Sequence, residues 1–290
     1  MYSTGSPFFY IKRTRPFSIL SANMNFRQAV QNFGFRVLRL LGGLTLIYVS
    51  IVFYFALTER QNAYPRAITH KEAQAAIQAT SKPLTCTLDD GIALEGWSIG
   101  DAQSPIFLYY PDANEDAAQF LAELKDVPGV NLVAFNYRGS ANNKGTPSSE
   151  TFEPDARQIA ECASQINGSK PRFLAGRGTG AILAAEQLGD GQTLFLIDPY
   201  MSIADAISEK YRLLYPKFLI RAKEKIPEET VKKHKNSVIL LQDSQNSCDR
   251  NHKAKQHFSL TKVDKRDKIL LRNFVIKSLQ TVQNPVISRN

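Results

Sequence analysis

Acidic residues are missing from the first 58 positions, which carry Lys12, Arg13, Arg15, Arg27, Arg36 and Arg39 with nothing to balance them. That stretch supplies most of the formal charge of +9; without those six, 30 basic residues face 27 acidic ones, a balance of +3. A nucleic-acid partner is therefore not expected, because it needs cations gathered where phosphates lie, and the scattered lysines of the C-terminal third read as a solvated face. Cysteine is scarce: Cys86, Cys162 and Cys248 form no metal-ligand spacing and no disulfide framework. Buried free thiols are the first reading for Cys86, in an expected strand, and Cys162, in an expected helix, with one pairing left open. Histidine is limited to His70, His234, His252 and His257. Internal repeats and low-complexity tracts are absent. The 290 residues suffice for one sizeable domain with an appendage.

The appendage is apolar. Residues 40–57 read LLGGLTLIYVSIVFYFAL, 18 positions without a charge. At 1.5 Å per residue such a helix is about 27 Å long, close to the hydrocarbon thickness of a bilayer. Arg36 and Arg39 precede it, and Glu59 and Arg60 follow it, so the positive-inside rule places the N-terminus in the cytoplasm and the remainder outside. A cleaved signal peptide is the competing reading; its apolar run would be shorter, and 55–57 makes a poor small-x-small site. Met24 is an alternative start to Met1. The expected organisation is a basic segment 1–39, a transmembrane anchor 40–57, a connector 58–82 and a domain 83–290 with a lid at about 200–236.

In the connector, Thr69-His70-Lys71-Glu72 fits a capping box with Thr69 as N-cap, opening a helix to Ala79 that Pro83 ends; His70 reads as a solvent-facing first-turn residue. Strands at 84–88 and 92–99 flank Asp89-Asp90-Gly91, a hairpin signal. Strands follow at 106–110, 131–135, 173–175, 194–197, 237–241 and 258–263. Helices are expected at 116–124, 154–166, after Gly180, over the amphipathic 201–234 and at 269–279. A hairpin followed by β-α repeats implies an α/β fold: a mostly parallel sheet with helices on both faces.

Residues 176–180 read G-R-G-T-G between an apolar strand and an alanine-rich helix. This is the setting of G-x-S-x-G, the sharp turn that raises a nucleophilic serine above a sheet; here Gly178 holds the serine's place. From about 85 to 279 the chain resembles the α/β-hydrolase superfamily, and among its members the single-anchor, serine aminopeptidase-like serine hydrolases. The likeness rests on the opening hairpin 88–97, on Tyr137-Arg138-Gly139 with Gly145-Thr146-Pro147-Ser148, on Asp155-Ala156, and on a compact lid beginning at Asp198. The resemblance implies a serine, a histidine, an acid and oxyanion-binding amides. Carried over position by position, the nucleophile falls on Gly178, the acid near Asn246 and the base at the Asp264-Lys265-Arg266-Asp267 stretch. The oxyanion loop, which begins H-G in this subgroup, reads Pro111-Asp112-Ala113-Asn114. Those positions are read as vestigial, since losing a triad serine or histidine costs on the order of a million-fold in turnover.

The expectation is a membrane-anchored protein of this fold without catalysis, acting as a binding or scaffold protein. The partners considered are the membrane through the N-terminal helix, a small acyl or lipid ligand, and a protein. No metal or cofactor is expected. Two alternatives remain. One is an active esterase, thioesterase or peptidase with relocated residues: Thr179 adjoins the turn, though its side chain is expected to leave in another direction; His234 reads as a surface residue; His252 and His257 precede the last strand; Asp198 and Asp243 lie near strand ends. The other is a dinucleotide-binding module. Gly176, Gly178 and Ala181 fit G-x-G-x-x-[GA], and Asp198 lies 22 residues after Gly176.

Overall fold

The structure, a computed structural model, describes residues 19–242, with Ala254, Lys262–Asp264 and Ile276 beyond them. It divides into two units, Met1–Phe53 and Tyr54–Asn290. The first unit holds most of a 45-residue helix, α1 (Ile19–Ala63). No proline interrupts the chain between Pro16 and Pro65, so nothing removes a backbone donor from the helix interior. Within it Phe26–Gln61 is long and apolar enough to cross a membrane. Side chains from 26 to 50 are exposed all round. The charge-free part of this helix is 40–57; Arg27, Arg36 and Arg39 lie nearer its start.

The second unit is built on an eight-stranded sheet. Its strands are β1 (Ser81–Thr87), β2 (Ala93–Ile99), β3 (Ile106–Tyr110), β4 (Asn131–Phe135), β5 (Phe173–Arg177), β6 (Thr193–Ile197), β7 (Val238–Gln242) and β8 (Lys262–Asp264), in the spatial order β1-β2-β4-β3-β5-β6-β7-β8. β1 and β2 form the expected hairpin through Asp89-Asp90-Gly91, where Gly91 has φ +81°. β2 joins β4 antiparallel, and every later pairing is parallel. β3 and β4 are buried throughout, as strands covered on both faces must be. Alternate residues serve opposite faces: Phe107 and Tyr109 stack on Phe120 of α3 (Ala117–Leu124), whereas the Tyr110 hydroxyl donates to the Ala156 carbonyl of α4 (Ser149–Ser164). α2 (Lys71–Ile77) packs beside α3, and α5 (Gly180–Glu186) beside α4. The fold class is as expected.

Several boundaries move. The N-cap of α2 is His70, not Thr69: the Asp116 carboxylate accepts the His70 N–H at 2.8 Å and delays the helix by one residue, and His70 Nδ1 then accepts from the Ala73 N–H. Helix α2 ends at Ile77, and Pro83 lies inside β1, the edge strand, where a missing N–H does least harm. Helix α4 opens at Ser149 rather than near Pro154, because the Ser148–Thr151 capping box starts it earlier and leaves Pro154 in its interior. The stretch expected to be helical over 201–234 is broken into α6 (Ile203–Tyr211), 3-10 turns at Arg212–Leu214 and Lys217–Leu219, and α7 (Glu228–Lys233). Pro216 and Pro227, together with a left-handed Arg212 (φ +46°), interrupt it. The expected helix at 269–279 falls outside the described residues apart from Ile276.

The connector is packed rather than loose. Tyr64, Ala67, Ala73 and Ile77 are buried, Arg66 N–H donates to the Ala113 carbonyl, and Ala67 N–H donates to Ser140 Oγ. The thiol reading is corrected as well. Cys86 on β1 and Cys162 on α4 are joined by a disulfide, their Cα atoms 5.7 Å apart. Their separation of 76 residues hid a helix that crosses back over the hairpin.

Candidate functional site

Strand β5 ends at Arg177, Gly178 turns with φ +56°, and α5 begins two residues later. The strand–turn–helix setting read from the sequence is present. Two glycines make it possible. A Cβ on Gly176 would lie 2.4 Å from the Gly180 carbonyl oxygen and 2.6 Å from Ala181 Cα, so strand and helix meet at backbone distance. Gly178 has the left-handed φ that glycine tolerates best.

The space above Gly178 is taken. A Cβ there would stand 2.3 Å from both Cγ and Oδ1 of Asp112, the second residue after β3. Asp112 Oδ1 accepts the Ala113 N–H at 2.8 Å, the Thr179 N–H at 2.9 Å and the Thr179 hydroxyl at 2.9 Å. In G-x-S-x-G enzymes the amide after the nucleophile and an amide from the loop following β3 hold the transient oxyanion. Here the amides of Thr179, in the turn, and Ala113, in the loop after β3, both end on one carboxylate oxygen of Asp112. The Thr179 side chain therefore does not leave in another direction, as expected from the sequence; it points at the same oxygen as its own N–H.

Around Asp112 several polar groups bond to one another. Its N–H donates to Glu115 Oε2 at 3.0 Å, which also accepts the Tyr109 hydroxyl at 2.6 Å. Arg177 Nη1 donates to Glu115 Oε1 at 2.6 Å, and its guanidinium lies over the Phe120 ring. Burial raises the Glu115 carboxyl above its ordinary value of 4.5, while the Arg177 charge and the hydrogen bonds from Tyr109 and Asp112 pull it back. Gly178 N–H donates to the Ile197 carbonyl and the Gly178 carbonyl accepts from the Tyr200 N–H, so the chain after β6 is tied to the turn.

Asp198 follows β6, buried and left-handed (φ +44°), its N–H donating to the Leu241 carbonyl. It lies at the strand ends beside the turn. Asp264 closes β8 and pairs in register with Gln242. Asn246, Asp243, His252 and His257 fall outside the described residues. His234 bonds to other partners, and its side chain is largely buried rather than at the surface: its Nε2 lies 2.9 Å from Asp190 Oδ1 and its Nδ1 2.9 Å from the Thr230 carbonyl. No group of three or more potential metal ligands occurs among the described residues. A cavity of about 600 Å³ lies at the opposite end of the sheet, where Pro105 and Arg172 precede β3 and β5. It does not touch Asp112, Gly178 or Thr179.

No protein-family model matches the chain, and no curated protein does. Solved structures match its fold. An alpha-beta hydrolase from Vibrio vulnificus superposes with a TM-score of 0.57 at 17% identity, over 76% of this chain and 87% of that one. A putative lipase from Acinetobacter baumannii gives 0.53 at 12% identity, over 74% and 96%. A proline iminopeptidase-related protein from Thermus thermophilus gives 0.51 at 13%, over 70% and 98%. At such identities the likeness is one of fold.

Proposed function

With the α/β-hydrolase fold as premise, we propose that this protein is a membrane-anchored binding or scaffold protein that does not hydrolyse acyl substrates. The carrying observation is Asp112. An oxyanion hole lowers a barrier because its amides wait for a charge that appears only in the transition state. Amides already bonded to a resident carboxylate have no such charge to stabilise. The bare α-carbon of Gly178 removes the nucleophile from the same turn.

An active enzyme built on Thr179 would need Asp112 as its base and the same two amides as oxyanion donors. One carboxylate oxygen takes the hydroxyl and both amides together, which argues for a closed structure. The dinucleotide reading meets the same obstacle, because the start of α5 already faces an anion. The ligand considered is an acyl or lipid molecule or a protein. The anchor reading rests on the length and apolarity of Phe26–Gln61. Placement of the domain outside the cytoplasm draws support from the Cys86–Cys162 disulfide, since such bonds persist in oxidising compartments.

The test is fluorophosphonate labelling of the purified full-length chain, with short acyl esters as substrates in parallel. The expected result is no labelled serine and a hydrolysis rate that Thr179→Ala leaves unchanged. A specifically labelled serine, or turnover abolished in Thr179→Ala, would overturn the proposal.

A further inference from the structure

The cap, the segment between β6 and β7, leaves large apolar side chains in the open. Leu213 and Phe218 are 86% and 83% exposed, Leu214 and Leu219 48% and 38%. All four come from the two 3-10 turns that flank Tyr215-Pro216, so they share one short stretch of chain. Single exposed apolar residues are ordinary, but a cluster marks a contact surface.

Tyr215, between them, is buried and held. Its ring lies 5.8 Å from Phe55 and its hydroxyl donates to Glu59 Oε2 at 2.7 Å. Glu59 Oε1 accepts the N–H groups of Arg221 and Ala222 at 2.6 and 2.9 Å, and Arg221 Nη2 donates to the Ala56 carbonyl at 2.7 Å. Phe55, Ala56 and Glu59 are the closing turn of the apolar segment Phe26–Gln61. The exposed cluster is thus fastened where that segment ends. Residues 210–223 also contain Lys210, Arg212, Lys217, Arg221 and Lys223 and no acid; all five are exposed, Lys217 pairing with Asp205 and Arg221 with Glu59.

We propose that this face of the cap is an interfacial membrane surface. Leu213, Leu214, Phe218 and Leu219 enter the headgroup layer, and the cations of the same stretch meet anionic phospholipids. Apolar side chains ringed by lysine and arginine are the composition that binds such a surface. The charge selects lipid over a second copy of the chain, since a self-complementary contact would set like cations against one another. The proposal rests on reading α1 as a membrane anchor.

The test uses the full-length chain in phosphatidylcholine–phosphatidylglycerol nanodiscs. Phe218→Trp is the surface probe, Leu46→Trp the anchor control, and the parent, whose single Trp97 is buried in the core, the background. The Phe218→Trp emission is expected to shift to shorter wavelength. It should be quenched more by lipids brominated near the headgroup than by lipids brominated near the chain end, and this quenching should fall in neutral discs or high salt. Quenching of Leu46→Trp without quenching of Phe218→Trp would overturn the surface and leave the anchor standing. Absence of quenching in Leu46→Trp would overturn both. A wavelength shift that grows with protein per disc and ignores brominated lipid would assign the face to another copy, and equal quenching in neutral and anionic discs would remove the role of the cations.

Discussion

At the scale of the residue, two positions compete for one volume. Placing a serine at Gly178 introduces a Cβ against the Asp112 carboxylate and forces a left-handed φ on a non-glycine residue. Gly178→Ser is expected to cost about 1–3 kcal/mol of stability. Asp112→Gly clears the obstruction, so the double variant should lose less than the sum of the two single losses, by about 1 kcal/mol in a double-mutant cycle read from urea denaturation. Strict additivity would show that the two side chains do not contend. Glu115 carries a second expectation. Its carboxyl is raised in the folded state, chiefly by burial, so the folded protein binds the proton more tightly than the unfolded chain. Its contribution is complete below the ordinary value of 4.5 and declines as pH rises through the folded value. The stability difference between parent and Glu115→Gln, measured by denaturation across that range, should therefore shift against the parent with rising pH; a shift in its favour would contradict the assignment. The glycine at the turn was legible because five residues between a strand and a helix carry their own meaning. The role of Asp112 was not, because it depends on a loop 66 positions away in sequence folding over Gly178 (178 − 112).

At the scale of the element, the disulfide links the edge hairpin to the helix that covers it. Opening it by reduction, or replacing Cys162 with serine, is expected to cost about 2–4 kcal/mol, the usual range for a bridge closing a long loop. Thermal unfolding with and without reductant measures this, and an unchanged midpoint would mean that β1 needs no such tether. Most of the sheet could be read in advance. The runs at 106–110 and 131–135 are short, apolar and bounded by Pro, Asp or Asn, which leaves little choice but a buried strand. The misplacements share a cause. His70 became a cap because Asp116, the N-cap of α3, holds its N–H. Helix α4 outran Pro154 because its start was fixed by Ser148 and Thr151. In both, a tertiary or capping contact outweighed the local signal, and the pairing of Cys86 with Cys162 was hidden in the same way. Arg138 of the loop after β4 is a further instance: its guanidinium grips Asp155 on α4 and Asp90 in the first hairpin turn, so a motif residue of the resemblance does structural service.

At the scale of the whole molecule, the sequence is asymmetric in charge. Uncompensated cations gather before the charge-free run 40–57, while the remainder is almost balanced and folds as an α/β sheet. Segments distant in sequence meet on single carboxylates: Tyr64 and Ser149 both donate to Glu224, at 2.7 and 2.6 Å. The cap has a similar standing. It leaves the sheet after β6 and returns as β7, and those two strands lie side by side, Leu194 opposite Val238 through Ile197 opposite Leu241. The cap is thus an excursion whose exit and re-entry are neighbours in the same ladder. A protease that nicked the chain near Leu213 would produce two fragments on a denaturing gel and one particle in native solution, because the severed halves would still share a seam of parallel backbone hydrogen bonds.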